Sequence, residues 1–350
     1  VGCKGCKVDC PSGVDMAKLK AEVEHAHHEE HGVDLRTRLL GRFESLAPLA
    51  SKLAPLSNLP NKIPGSGLVA EKALGIAKER DLPTFRSETL VDWFEARGGA
   101  GVPRDEAARD VLLFPDVYTT YTNPGAGKAA VRVLEAADCH VRIPDVDGSG
   151  RPPHSKGMLD VSRATARDAV ETLAPDVRDG WDVVVVEPSD AVMLQSDYHD
   201  LLDGDASDVP DADVAAVSER AYGVMEYVDA HRLDEELALD APTESLTYHG
   251  HCHQKATKKD HHAVGVLRRA GYGVDPLDSS CCGMAGSFGY EAEHYSMSKA
   301  IGETLFEQVD ASDGDALVAP GTSCRTQLEE GPGEVPEPAH PIEKLAAALA

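Results

Sequence analysis

Eight cysteines stand at positions 3, 6, 10, 139, 252, 281, 282 and 324, and seven of them fall into two groups. The first group is compact and reads Cys3-Lys-Gly-Cys6-Lys-Val-Asp-Cys10-Pro11. The second is spread over three short motifs: His251-Cys252-His253-Gln254, then Cys281-Cys282-Gly283-Met284-Ala285-Gly286, then Gly321-Thr322-Ser323-Cys324. The chain opens on no basic-then-apolar leader, which reads as cytoplasmic. In that setting clustered thiols bind metal more often than they pair as disulfides.

The first spacing matches the last three cysteines of the bacterial ferredoxin run C-x2-C-x2-C-x3-C-P. In that run the closely spaced thiolates hold one [4Fe-4S] cluster, and the cysteine before proline reaches a second. The missing cysteine would fall one residue before Val1. The sequence is therefore expected to start inside a longer chain. Cys3, Cys6 and Cys10 are expected to close no four-thiolate site on their own. A partial zinc knuckle is the ordinary alternative.

The second group gives the main metal site, Cys252, Cys281, Cys282 and Cys324. Each of these cysteines lies just past a predicted strand or in a glycine-rich loop, and strand ends of an α/β sheet converge on one edge. Soft thiolates there suit an iron–sulfur cluster or zinc. Zinc ligands usually stand two or more residues apart, so adjacent Cys281 and Cys282 are awkward for it; a redox disulfide is a further alternative. Gly283 and Gly286 let the backbone approach inorganic sulfides and offer N–H donors. His251 and His253 read as sharing one face of an extended segment, opposite Cys252, where they pack around or orient the ligands. Cys139 stands alone and reads as a small buried hydrophobe. Asn123 to Lys128 imitates a phosphate loop but lacks its leading glycine and its Ser/Thr after the lysine. No dinucleotide fingerprint and no paired acid/base constellation is present, so no catalytic residue is assigned.

These motifs need elements to position them. Residues 14–98 read as helical: Asp15 caps, Met16, Leu19 and Val23 follow at helical spacing, and a second apolar run extends from Leu39 to Leu53. Prolines 55, 60 and 64 break that run, and a third covers Leu68 to Ala77. From about residue 110 strands and helices alternate. Strands are predicted at Val111–Phe114, Asp182–Val186, Leu246–His249 and Asp315–Ala319. Helices are predicted at Ala129–Ala137, Val161–Leu173, Ala263–Ala270 and Tyr295–Val309. The fold class is α/β with mainly parallel sheets.

An internal repeat runs through this part. An offset of 133 places Ala130–Leu134 on Ala263–Leu267 and Gly148-Ser149-Gly150 on Cys281-Cys282-Gly283, and it sets Thr119 against Cys252. An offset of 134 places Ser189-Asp190 on Ser323-Cys324. One copy keeps a metal site and the other has lost its cysteines. Four segments result: residues 1–25, the end of a ferredoxin-like domain; 26–105, a helical connector; 106–235, a first unit; and 240–350, a second unit with the cluster site.

Asp plus Glu number 60 against 34 Lys plus Arg, a net charge of −26. This excludes the basic surface that nucleic acid requires. It reads as a heavily solvated surface of the kind a salt-loving organism uses, or less simply as a docking face for a basic partner. No run approaches the ~20 apolar residues of a membrane span.

The stretch Cys3 to Glu22, with Gly250-His-Cys-His-Gln-Lys-Ala256 and Cys281-Cys-Gly-Met-Ala-Gly-Ser-Phe-Gly-Tyr-Glu291, resembles the C-terminal half of FAD-linked oxidases of the D-lactate/glycolate dehydrogenase type. Its broader relatives are the CCG cysteine-rich domains of heterodisulfide reductase and of the anaerobic glycerol-3-phosphate dehydrogenase iron–sulfur subunit. The resemblance implies an upstream FAD-binding domain or subunit that oxidises a 2-hydroxy acid. Electrons would pass through the ferredoxin-like clusters and the CCG site to a quinone or another acceptor, with docking on the inner face of a membrane left open. The broader pattern ends in C-x2-C, and Gly321 stands for the first of that pair, which favours a four-cysteine cluster over a five-cysteine one. A thiol- or disulfide-handling protein like heterodisulfide reductase, and a zinc-stabilised scaffold, are the other readings.

Overall fold

The computed structural model describes residues 2–204, 208–279, 281–331 and 337–350. Two parallel sheets organise it. The first runs in the order β2-β1-β3-β4, from β1 (Arg109–Phe114), β2 (Cys139–Arg142), β3 (Asp182–Val185) and β4 (Ala221–Gly223). The second runs β6-β5-β7, from β5 (Ser245–Tyr248), β6 (Gly273–Pro276) and β7 (Ala316–Val318). Every pairing is parallel. Consecutive strands are joined by helical crossovers, as parallel strands require.

The repeat is visible strand by strand. β1, β2 and β3 occupy the places of β5, β6 and β7, and the central strands β1 and β3 carry uninterrupted apolar runs because both their faces are covered. Val111 to Phe114 and Val183 to Val185 are fully buried. Helices Pro124–Ala136 and His261–Arg269 follow the first strand of each unit, and Leu159–Arg178 and Tyr295–Ala311 the second. One core joins the units: Val111, Leu134 and Val184 from the first pack in the same apolar cluster as Leu246, Tyr248 and Leu267 from the second.

Sequence reasoning missed three of the four edge strands. β2, β4 and β6 are three or four residues long and carry polar or exposed positions, as edge strands do. The repeat alignment needs one correction. Helix Val117–Tyr121 follows β1 and helix Cys252–Ala256 follows β5. Their starts set Val117, not Thr119, against Cys252, because the strand ends already stand 134 apart and the loop after β5 is one residue longer.

Residues 16–74 are largely helical as expected, with Asp15 accepting from the backbone N–H groups of Ala17 and Lys18, but the helix over Leu68 ends at Leu74 and residues 75–89 form no helix before Leu90–Ala96. Helices Phe43–Lys52 and Ser66–Leu74 flank the proline-broken stretch, which is a 3-10 turn. Nearly all the exposed large apolar side chains among the described residues lie between Val14 and Val69, among them Leu46, Leu49, Leu53, Leu56 and Ile63. No helix among the described residues is long and apolar enough to cross a membrane.

Candidate metal centre

All four cysteines of the second group come from the C-terminal edge of the β6-β5-β7 sheet. After β5 the chain turns through His249, Gly250 and His251 into helix Cys252–Ala256, whose first residue is the cysteine. After β7 it turns through Gly321 into helix Thr322–Glu329, which carries Cys324 in its first turn. The loop that follows β6 brings in Cys281 and Cys282. Cys252, Cys282 and Cys324 are buried and Cys281 is half-buried.

The thiols form one hydrogen-bonded chain. Cys252 meets Cys281, Cys281 meets Cys282, and Cys282 meets Cys324, while the Cys282 thiol also donates to the Ser323 carbonyl at 3.9 Å. Cys3 also donates to Cys281, so the first cysteine group meets the second. Cys281 is the acceptor for two neighbours, and these bonds, that of Cys252 foremost, lower its pKa. Gly283 N–H points at the Cys281 sulfur at 3.4 Å. Cys252 is pushed well up by its bond to Cys281 and by burial. A metal removes that penalty, because it binds the thiolate form.

Two glycines shape the loop. Gly283 has φ +95° and Gly286 φ +69°. A Cβ at 283 would overlap the Ser298 carbonyl oxygen, whereas the space beside Gly286 is open. A Cβ at 321 would overlap the His251 ring. Glycine there is thus dictated by His251, and position 321 offers no donor.

The three histidines differ in role. His251 does not lie on an extended segment with His253. The helix starts between them, and His251 Nδ1 caps it by accepting from His253 N–H at 3.3 Å. Gly250 and this cap end the strand pattern that alternating histidines suggest. His253 Nε2 lies 2.9 Å from the Gly2 carbonyl oxygen and 3.3 Å from Arg151. Burial pushes the His251 pKa down to about 4 and that of His249 to about 3, so both rings are neutral. Sequence reasoning placed no site role on His249. Its imidazole is wholly buried, and a ring nitrogen lies within 4.8 Å of the Cys282 and Cys324 sulfurs. Only its position directly after the last residue of β5 would have revealed it.

The N-terminal segment is held over the site by three successive residues. The Gly2 carbonyl faces His253, Cys3 donates to Cys281, and the Lys4 ammonium is buried between Asp15 at 2.8 Å and Asp197 at 2.9 Å. Arg151 holds the other Asp197 oxygen at 3.2 Å. Cys6 is exposed and Cys10 half-buried, and neither joins the thiol chain. Backbone N–H groups of Val14 and Ser12 lower the Cys10 pKa. Cys139 is buried in the apolar core with its pKa pushed up to about 12 by burial, in keeping with a small hydrophobe.

In the first unit carboxylates occupy the equivalent edge. Asp190 pairs with Ser149, Glu44 accepts from the backbone of Ser149 and Gly150, and Asp116 accepts from Thr119 N–H. Burial pushes Glu44 up to about 7 and Asp116 to about 6. Glu187 reaches across and accepts from Thr322 N–H at 2.9 Å, at the start of the Cys324 helix. A carboxylate there also meets the positive end of the helix dipole.

The donor set fits an iron–sulfur cluster. It offers four soft thiols on one edge, a fifth from Cys3, and an imidazole nitrogen of His249 that is buried with no hydrogen-bond partner. Leu277, Met284, Phe306 and Leu328 pack around Cys282 and Cys324 and exclude water.

Residues 246–329 match the CCG Cysteine-rich domain, which contains all four of these cysteines. Over 351 residues the chain is 26% identical to a subunit of the anaerobic glycerol-3-phosphate dehydrogenase of Escherichia coli K12, covering 97% of this chain and 83% of the relative. It is 24% identical to the D-2-hydroxyglutarate dehydrogenase of the same organism, covering 99% of this chain but 33% of the relative, so it spans about a third of that protein. It is 23% identical to a probable glycolate oxidase iron–sulfur subunit of Bacillus subtilis 168, over 95% of this chain and 76% of the relative.

Proposed function

We propose that this chain is the iron–sulfur electron-transfer part of an FAD-linked oxidoreductase acting on a 2-hydroxy acid or a related alcohol. The observation that carries the reading is the convergence of Cys252, Cys281, Cys282 and Cys324 on one sheet edge, in hydrogen-bonded contact with Cys3. A bound [4Fe-4S] cluster would supply one-electron storage there. The four thiolates hold it, Gly283 N–H stabilises negative charge on sulfur, and the apolar wall keeps the site dry. Lys255 donates to the carbonyl oxygens of Leu277 and Ser279, which fixes the loop and brings a cation beside the thiolates.

Cys3, Cys6 and Cys10 belong to a ferredoxin-like segment that passes electrons to the cluster held at Cys281. The first unit is the spent copy, in which Asp190 and Ser149 replace thiols. A flavin-bearing partner, domain or subunit, covers the apolar side chains between Val14 and Val69 and reduces this segment; a quinone or another carrier takes the electrons onward. The test uses the chain alone with D-lactate, glycolate and D-2-hydroxyglutarate. No turnover is expected, while dithionite or photoreduced flavin bleaches the reconstituted chromophore. Turnover by the chain alone would refute the reading.

A further inference from the structure

We propose that His249 Nε2 is itself a ligand of the metal centre, giving mixed imidazole–thiolate coordination beside Cys282 and Cys324. The inference rests on the cluster reading above and revises its ligand set, His249 taking an iron that one of the four thiolates would otherwise hold. A His249 ring nitrogen lies within 4.8 Å of both sulfurs, which are within the same distance of each other. The ring is fully buried, and its Nε2 has no hydrogen-bond partner. A buried polar atom without a partner calls for an explanation, and a bound ion is one of the standard ones.

The opposite nitrogen is already committed. Nδ1 lies 2.6 Å from the Ser279 hydroxyl. With Nδ1–H donating to Ser279, Nε2 keeps its lone pair free to bind a metal. Metal-bound histidines are commonly fixed in this way through their second nitrogen. The backbone is equally rigid, since His249 N–H donates to the Val318 carbonyl at 2.9 Å and ties the end of β5 to β7.

Among the described residues neither His251 nor His253 joins two cysteine sulfurs in such a group, although His253 Nδ1 is likewise buried without a partner. His251 Nδ1 caps a helix, and His253 Nε2 faces Gly2 and Arg151. Gly321, at the mouth of the Cys324 helix, offers no side chain, and the His251 ring fills the space one would need. The donor on that side of the centre therefore comes from the end of the adjacent strand. Nitrogen in place of a thiolate removes negative charge, so it raises the reduction potential.

The experiment is hyperfine spectroscopy on the full chain, loaded anaerobically with iron and sulfide, reduced, and labelled with 15N-histidine. A strongly coupled nitrogen that responds to the label is expected in the wild type. It should vanish in His249→Ala and persist in His251→Ala. His249→Cys should retain iron and lower the midpoint potential. Full iron without a strongly coupled nitrogen, or coupling that survives in His249→Ala, overturns the proposal. Iron and sulfide content separately reports the cluster reading. If the wild type takes up none, cobalt(II) titration of the metal-free chain decides: at least about tenfold weaker binding and an altered visible spectrum in His249→Ala support the ligand role. Identical titrations, or no cobalt binding by the wild type, overturn it.

Discussion

Gly283→Ala separates a loop that the site requires from one that merely tolerates glycine. Gly283 and Gly286 both sit at positive φ, +95° and +69°. An L-residue pays about 1–2 kcal/mol for such a backbone. At 286 that is the whole cost, because nothing lies within 4 Å of an added Cβ. At 283 the Cβ overlaps the Ser298 carbonyl oxygen and also lies 3.3 Å from Gln327 Nε2. Relieving the overlap means moving helix Tyr295–Ala311 or the Cys281-Cys282 loop. Overpacking of this kind costs about 1–3 kcal/mol more. The predicted totals are therefore about 1–2 kcal/mol for Gly286→Ala and about 2–5 kcal/mol for Gly283→Ala. In a chain of this length each kcal/mol is worth roughly 2 °C in Tm. Differential scanning fluorimetry reads the stability, and iron uptake on anaerobic reconstitution reads the site. Gly283→Ala should lose both, with iron uptake falling further than that of Gly286→Ala. Equal melting shifts and equal iron in the two variants would refute the argument that the Ser298 contact fixes the loop.

Lys4→Met should free the N-terminal segment without unfolding the chain, because Asp197 keeps Arg151 at 3.2 Å and Lys18 at 3.4 Å. A local loss of about 2 kcal/mol would speed alkylation of Cys3 roughly thirtyfold, measured by mass spectrometry on the metal-free protein; an unchanged rate would contradict the anchoring role. Glu44 has its pKa raised from 4.5 to about 7 by burial, so the folded state binds the extra proton and stability falls as pH rises through that window. The effect is on the order of 3 kcal/mol. Glu44→Gln should make Tm fall less steeply between pH 5 and 8, Asp116 keeping part of the slope, and raise it at pH 8, and an equally steep profile in the variant would assign the dependence elsewhere. Leu49→Asp with Leu53→Asp should leave Tm within about 2 °C, since both side chains are exposed, while reducing binding of an apolar dye. A large fall in Tm would mean that this face is already covered within the chain.

The central strands and long helices were legible because their apolar runs and helical periods are strong local signals. Val111–Phe114 and Asp182–Val186 were placed within two residues. Three of the edge strands were not; β6, for one, is mostly exposed and ends in proline. The four clustered cysteines were legible from spacing alone. Cys3 meeting Cys281 was not, because that contact depends on how the Lys4–Asp197 pair folds one end of the chain onto the middle. The alternation of His249, His251 and His253 imitated a strand, and only the turn at Gly250 with the His251 cap shows why the helix begins at Cys252. His249 was overlooked for the same reason. Its significance comes from the parallel neighbour β7, which supplies both the Val318 carbonyl and Cys324. In the first unit the repeat pointed to Ser149 and Asp190, but Glu44 enters from outside the repeat.

The most direct test of the account is anaerobic iron and sulfide analysis with EPR on the wild type and on Cys281→Ser. Cys281 is bonded to Cys3, Cys252 and Cys282, so its loss breaks the thiol chain at its centre. The account predicts a clustered iron signal in the wild type that is lost, or reduced to a minor fraction, in Cys281→Ser. Stoichiometric zinc with no iron signal, or a wild-type signal unchanged in the variant, would contradict it.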